Sequence, residues 1–473
     1  MLAEWASARH RAAIRRADLS RPIRLGREDG IITEQTVVFD YGCGHGDDVK
    51  RLMALGIPAS GWDPVHATHA VKRRSDVVNL GFVLNVIENP TERVAVIQEA
   101  WSLATGVLIV AVRTTADQRD PGLASGDGFV TALGTFQKYF EHDEFKNWLE
   151  AAVGESVVTA GPGIFYLFRD SERRALFLES RFRSRVVVPR ISQASALFEA
   201  HRPLLEELVA RATVLGRAPE ADEWDGEADT IRALGSVARA FAIVQKAIGD
   251  AAWSGVRDRR TDDLTVLLAV GRFDGKRRVA MHSDSVQRDV RAFFGSEQRA
   301  NKHVDRALAT LKDMALVAAA MRSSPVGKLT PGAFYLHTSA LDAAHVVVRL
   351  YEACARAYIG RVDGANLIKL SRETPKVSYL SYPDFDEQAH PALERSVQVS
   401  LQTFRLRVDR YDERDNPPIL HRKELFVLPD YPGRDAFEAF TKEEEAAGLY
   451  ADPVPGTLKE WNERVRGSLQ PLL

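Results

Sequence analysis

The sequence predicts an α/β protein: a mostly parallel sheet wound with helices over residues 1–170, a helical domain over 171–360 and a second α/β domain over 361–473. Three observations carry this. An apolar run, Val37-Val38-Phe39, ends in Asp40 and enters a turn with glycine at 42, 44 and 46. Short apolar segments then alternate with helix-length amphipathic ones as far as Val112, the pattern of a parallel sheet. Finally, Val157-Val158-Thr159 and Ile164–Phe168 flank Gly161-Pro162-Gly163, which reads as an antiparallel hairpin.

The first of these elements is the most informative. Gly42 and Gly44 let the backbone turn tightly and approach a ligand that a Cβ would obstruct. A dinucleotide fingerprint reads G-x-G-x-x-G and seats a pyrophosphate on the helix N-terminus. Here the spacing is G-x-G-x-G, and Asp47 and Asp48 occupy the helix start. With Asp40 they place three carboxylates around one loop, which repels a phosphate and suits a ligand carrying an ammonium and a sulfonium. The cofactor this favours is S-adenosyl-L-methionine. The same acids also serve as ordinary capping and dipole partners.

A second strand runs from Ile57 to Asp63-Pro64. Asp63 falls one helix and one strand after the loop, where an acid accepts hydrogen bonds from ribose hydroxyls; a turn aspartate before proline is the plainer alternative. A third strand, Asp76–Phe82, leads into Val83–Ile87 and a long helix with Val94, Ile97, Ala100, Trp101 and Leu103 on one face. Val107–Val112 is the fourth strand. Ligands of such sheets bind at the carboxyl ends of the strands, where Asp40, Asp63 and Asn79 all fall.

Thr114–Gly134, rich in Gly, Asp and Thr, reads as a lid loop beside the site, and His142–Val153 as a helix. From Ser171 helical spacing dominates, with Asp284 and Gln287 forming a capping box. In the last part Lys376–Tyr382, Val397–Leu401 and Phe404–Tyr411 alternate as strands. Thr441 with Glu444 reads as a capping box opening a C-terminal helix. Asn416-Pro417-Pro418-Ile419 reads as a turn, and His421-Arg422-Lys423-Glu424 as a charged loop with the alternative of an anion site. Pro383-Asp384-Phe385-Asp386 with His390 reads as a turn, because no partner motif completes a metal-dependent nuclease; no metal is expected. His337 reads as a core histidine.

Taken together, the sequence resembles the class I S-adenosylmethionine-dependent methyltransferases and, within them, the methyltransferase family associated with DNA phosphorothioation. The resemblance rests on Phe39–Val49, Gly61-Trp62-Asp63-Pro64, Asn79–Glu88, Gly134–Phe140, Pro375–Leu380 and Asn416–Glu424. It implies a Rossmann-like sheet closed by an antiparallel pair, which the hairpin at 157–168 supplies. It implies cofactor contacts from Asp40, Tyr41, Gly42, Cys43, Gly44, Asp63, Pro64, Asn79 and Leu80. Asn79-Leu80-Gly81-Phe82 stands where amino-methyltransferases carry a polar-Pro-Pro-aromatic motif, although the prolines are missing. On that reading Asn79 is the candidate catalytic residue; as an alternative it caps the next helix. Phe82, Phe136, Lys138 and Tyr139 are the candidate substrate contacts, by stacking and phosphate pairing. One departure matters: only about a dozen residues separate Asp63 from Asp76, too few for the helix, strand and helix of a standard domain. The strand beyond the second is therefore missing or vestigial, and adenine contacts come from elsewhere, such as Asp76 or the C-terminal region.

Composition bounds the function. With 473 residues, 45% hydrophobic and 27% charged, the chain has an ordinary globular make-up. A net charge of −2 gives no support to a strongly basic nucleic-acid binder. Two cysteines, Cys43 and Cys354, suggest neither disulfides nor a zinc site. No apolar run approaches ~18 residues, so no membrane span is expected. The basic N-terminus (Trp5, Arg9, His10, Arg11, Arg15, Arg16) lacks a signal-peptide core and reads as an amphipathic helix in a cytoplasmic protein. The leading expectation is methyl transfer from S-adenosylmethionine to DNA, with DNA and other proteins of DNA-modification or restriction systems as partners. The alternatives are a small-molecule or RNA methyltransferase, and a non-catalytic cofactor-sensing or DNA-scanning component.

Overall fold

The structure is a computed structural model that describes residues 9–13, 15–118, 122–184, 188–191, 194–273 and 282–469. The chain divides into two compact units, 1–171 with 330–338 and 354–473, and 172–329 with 339–353. The stretch 361–473, read from the sequence as a domain of its own, lies within the first unit.

The first unit is built on a six-stranded sheet in the order β2-β1-β3-β4-β9-β8. Its strands are β1 (Val38–Tyr41), β2 (Ala59–Trp62), β3 (Ser75–Gly81), β4 (Ala104–Ala111), β8 (Val157–Gly161) and β9 (Ile164–Phe168). β1 pairs parallel with β2 and β3, and β3 with β4. β9 runs antiparallel between β4 and β8, so the closing hairpin inserts its second strand into the sheet. β2 is an edge: among the described residues no strand lies beyond it, as the short Asp63–Asp76 interval predicts. The strands β1, β4, β8 and β9 are near-continuous apolar runs because helices cover both faces. Helix Pro90–Leu103 opens on Asn89, whose side chain accepts from Thr91 N, with Pro90 at the first helical position. It packs Ile97, Ala100 and Trp101 against Phe39, Val78, Leu108 and Phe165.

Several segments differ from the sequence reading. The Thr114–Gly134 stretch is not an unstructured lid. Thr115–Asp117 is a 3₁₀ turn, and β5 (Leu123–Ser125), β6 (Gly128–Val130) and β7 (Phe136–Gln137) form a small antiparallel sheet; residues 119–121 lie outside the described set. Near the N-terminus the described residues show a 3₁₀ turn at Arg9–Ala12 and then a helix, Arg21–Glu28, started by Pro22. Trp5 lies outside the described residues. The 284–294 helix is capped by Ser283, not Asp284: the Ser283 hydroxyl accepts from Val286 N. Thr441 and Glu444 are buried inside helix Arg434–Ala446 and cap nothing; the last helix is Leu458–Leu469.

The remainder of the first unit carries antiparallel strands Ala333–His337, Leu367–Ser371, Lys376–Ser381, Arg395–Ser400 and Leu406–Arg410, paired in chain order. His337 is buried there against Phe385 and Tyr431, and burial lowers its pKa to about 4. This region joins the parallel sheet through Gly360-Arg361, where Arg361 N donates to Ala160 O at 2.8 Å and Arg24 pairs with Asp363. The second unit is helical. Its core gathers Phe198, Leu205, Leu208, Trp224 and Val244, and its buried Asp263 is held by Ser184 N, Arg260 and Arg349. Among the described residues no helix is long and apolar enough to cross a membrane.

Gly360 has φ +70, and a Cβ there would stand 2.3 Å from the Ala160 carbonyl carbon and the Gly161 nitrogen. Gly364 has φ +72 but no neighbour nearer than 3.9 Å. Gly360→Ala is therefore expected to cost about 2–4 kcal/mol, and Gly364→Ala only the left-handed backbone strain of about 1 kcal/mol. Urea unfolding of the full chain, followed through its first transition, checks the difference.

Candidate functional site

A cavity of about 350 Å³ opens at the carboxyl ends of β1 to β4. Tyr41 to Gly44 line it after β1, Trp62 to His66 after β2, Gly81 to Val83 after β3, and Arg113 after β4. Ala12, Ala13, Arg16, Val86, Ile87, Glu92, Val96 and Gln137 complete the wall.

The glycine turn adopts left-handed backbone at Gly42, Gly44 and Gly46 (φ +79, +52 and +72). Four of its N–H groups are already used. Gly42 N and Cys43 N both donate to Trp62 O (2.8 and 3.1 Å), Gly46 N donates to Cys43 O, and Gly44 N donates to Asp63 Oδ2 at 3.0 Å. These four groups are therefore not open to a pyrophosphate. Asp63 Oδ1 accepts from Val65 N and His66 N, both at 2.9 Å. Three of roughly four lone-pair positions on this carboxylate are thus taken, leaving one at the cavity for a hydroxyl.

The other acids of the turn do different work from the one their sequence positions suggest. Asp48 is buried and accepts from Ser20 N at 2.7 Å; Asp47 accepts from Arg16 N at 2.9 Å, a bond that lowers its pKa. Both tie the 16–20 segment across the helix start, so neither lines the cavity. Asp40 is 5% exposed and lies beneath the turn, where it accepts from Asn79 Nδ2 at 2.8 Å. Burial, with the nearby Asp48 charge, raises its pKa to about 7. Asp40 and Asn79 are cross-strand partners between β1 and β3, and Leu80 is fully buried, so these three support the floor without lining it. Asn79 does not cap a helix; its Oδ1 has no partner and lies near Gly81. The turn's net effect is a lining in which the charges of Arg16 and Arg113 balance those of Asp63 and Glu92. The ring of carboxylates expected from the sequence is not what the cavity presents.

Tyr41 and Cys43 line the cavity. The Tyr41 hydroxyl donates to Glu99 Oε2 at 2.5 Å, and Lys72 bridges both groups while standing 3.9 Å over the Trp62 ring. Burial pushes the Cys43 thiol up to about 12, so it stays neutral. Pro64 and Phe82 also line the cavity. Phe82 has φ +62, an uncommon strain for an aromatic residue, and its N–H donates to Ala111 O at 2.7 Å. Phe136, Lys138 and Tyr139 do not line it. Phe136 is buried beside the Arg93 guanidinium, Lys138 pairs with Asp127 at 2.7 Å, and Tyr139 stands against Phe129. Successive residues on a strand face opposite ways, and here Gln137 is the one at the cavity. Asp76 lies at the opposite end of β3, accepting from Val37 N, and cannot reach the cavity.

The sequence reading missed Arg16, His66, Glu92, Val96, Arg113 and Gln137. Apart from Gln137, which lies in the Gly134–Phe140 segment, none belongs to a local motif; they meet only through the fold.

Neither protein-family models nor curated proteins gave a match to this chain. Solved structures did. One is a 1,6-didemethyltoxoflavin-N1-methyltransferase of Burkholderia thailandensis, 16% identical over 35% of this chain and 82% of that one, TM-score 0.24. A second is an amino pentose methyltransferase of Micromonospora echinaspora, 14% identical over 36% and 97%, TM-score 0.27. A third is the magnesium protoporphyrin IX methyltransferase of Synechocystis PCC 6803, 14% identical over 32% and 76%, TM-score 0.21. The parallel strands and the inserted antiparallel strand of this chain's own sheet give it a Rossmann-like class I fold.

Because Asp40 keeps its proton to about pH 7 in the folded chain, while an unfolded aspartate loses it near 3.8, its contribution favours folding at low pH. Stability from this group falls as pH rises from about 4 through about 7, by a few kcal/mol at most, and is level above that. Asp40→Asn stays neutral at every pH. It is expected to raise the urea midpoint at pH 8 and to lose that advantage near pH 4.5; parallel profiles for the two proteins would refute the assignment.

Proposed function

We propose that the chain is an S-adenosylmethionine-dependent methyltransferase whose acceptor is a small molecule. The observation that carries the cofactor is the use of the turn's N–H groups. Gly42, Cys43, Gly44 and Gly46 spend theirs inside the protein, which disfavours a pyrophosphate and suits a ligand held by shape and by acids. Glycine at 42 and 44 keeps the approach bare, since a Cβ at 42 would meet Val83 Cγ2 at 2.4 Å. When bound, S-adenosylmethionine supplies an electrophilic methyl on a sulfonium.

The chain's own residues then have distinct tasks. Asp63 offers its remaining lone pair to a ribose hydroxyl and fixes the turn that faces it. Arg16, beside the turn, meets a carboxylate. Trp62, Val83 and Val86 provide apolar walls that exclude water, so that positioning does most of the catalytic work. Asn79 acts through Asp40 and Gly81 as a positioning residue for the floor, and Phe82 holds the rim on the acceptor side.

DNA and the proteins of a DNA-modification system are the acceptor and partners that the sequence resemblance implies. The small volume and the balanced charge of the cavity favour a small molecule over them. Calorimetry should show uptake of S-adenosylmethionine and S-adenosylhomocysteine but not of NAD or FAD. Asp63→Ala should weaken the homocysteine product at least tenfold. Radiolabelled methyl from the cofactor should pass to small molecules of a metabolite extract; label found only in added DNA would overturn the acceptor, and uptake of NAD in place of the methyl donor would overturn the cofactor.

A further inference from the structure

We propose that Arg113 anchors an acidic group of the methyl acceptor, so that the acceptor is a small organic acid with an apolar body. This rests on the methyltransferase reading for the cofactor's charge, while the geometry of Arg113 stands on its own.

Arg113 follows β4, two strands along the sheet from the β1 that leads into the glycine turn, and lines the cavity. Its backbone is fixed with unusual care. The Asn85 side chain, 1% exposed, accepts from Arg113 N at 3.0 Å and donates to Arg113 O at 3.2 Å. Arg113 O also accepts from Phe140 N at 3.0 Å. A buried amide thus serves as a strand partner for this one residue, and the same amide donates to Lys138 O at 2.6 Å, setting the chain beside Gln137. The residue is half-buried, and its guanidinium meets no hydrogen-bond or ion-pair partner among the described residues. The nearby Arg93 shows the alternative: its guanidinium is spent on Asp127 and on the carbonyls of Ile87 and Glu88. A guanidinium drawn partly out of water and left uncommitted has an energetic use only if an anion meets it there.

Charge balance points the same way. The lining charges cancel, and the proposed cofactor carries one net positive charge, so the loaded cavity is one positive charge in excess. An acceptor with a single acidic group neutralises it. The same lining includes Phe82, Val83, Val86, Ile87 and Val96, which fits an aromatic or aliphatic body. Arg113 is then a specificity-determining contact and Asn85 a positioning residue, with no part in the electron movement of methyl transfer.

The test uses the full chain loaded with S-adenosylhomocysteine and three probes of one shape: 4-hydroxybenzoate, phenyl phosphate and the uncharged 4-hydroxybenzamide. Calorimetry should show at least one of the two anions binding tenfold or more tighter than the amide. Arg113→Ala should abolish that preference, Arg113→Lys should keep part of it, and both should bind the homocysteine product as the parent does. A preference that survives in Arg113→Ala overturns the proposal, and so does a parent protein that prefers neither anion. If the product itself fails to bind, the methyltransferase reading falls; the same titrations without it still decide whether Arg113 selects anions, and identical affinities for all three probes there overturn this inference as well. Binding of phenyl phosphate alone would make the acceptor a phosphate ester, and binding of 4-hydroxybenzoate alone a carboxylic acid.

Discussion

The arrangement at the carboxyl ends of the parallel strands depends on the Asp63 carboxylate. Its three backbone hydrogen bonds join the glycine turn after β1 to the chain leaving β2. Without it, Gly44 N would be an orphan donor, and the backbone link between the two loops would rest on Trp62 O alone, which accepts from Gly42 N and Cys43 N. With it, Gly44 N joins Gly42 N, Cys43 N and Gly46 N among the turn's committed donors. One acid thus sets both the shape of the turn and the kind of ligand the turn can take, because a phosphate is recognised by free N–H groups and a nucleoside with a charged side chain is not. The other acids in the turn are consequences of packing. Asp47 and Asp48 hold the 16–20 backbone across the helix start, and that segment in turn brings Ala12, Ala13 and Arg16 to the cavity.

Beneath the turn lies a second, neutral layer. Asp40 faces Asn79 across β1 and β3, at a depth where an ionised carboxylate is costly. A protonated Asp40 is a compact polar filler that joins the central strands, and its proton matters more for folding than for ligand charge. Gly81 follows directly, and then Phe82 with its left-handed backbone. The strain at Phe82 is held by the Ala111 carbonyl, so β4 fixes the turn at which β3 leaves the sheet.

The parallel strands, the Gly-rich turn, helix His142–Val153 and the closing hairpin were legible because each depends on local apolar runs and on glycine. The absence of a strand outside β2 was legible from chain length alone. What the turn acids do was not: the carboxylates of Asp40, Asp47 and Asp48 look alike in sequence, and only the fold shows that one is buried and two are committed to backbone N–H groups. Phe136 and Lys138 flank Gln137, the residue that reaches the cavity, so each was one residue away from it, and Tyr139 stands against Phe129. Arg16, Glu92 and Arg113 come from three separate elements, and no spacing in the sequence announces their convergence. In the C-terminal part of the first unit, His390 and His421 were read from two separate motifs. Their Nδ1 atoms meet at 3.0 Å beside Glu444 and Trp461, in a partly buried cluster that only the fold assembles.

The missing strand changes how the far end of the cavity is closed. In a sheet that continued past β2, a loop would cover the space beyond Asp63. Here β2 is the edge, all four of its residues are half-buried, and the wall is made by Pro64, Val65 and His66. His66 packs on His45 with ring centroids 4.4 Å apart, so a residue of the glycine turn supports the His66 part of that wall. The Asp63 bonds to Val65 N and His66 N bend the chain back to make this contact. The carboxylate that shapes the turn therefore also replaces the lost strand: it folds the segment after β2 over the cavity end that the shortened sheet leaves open.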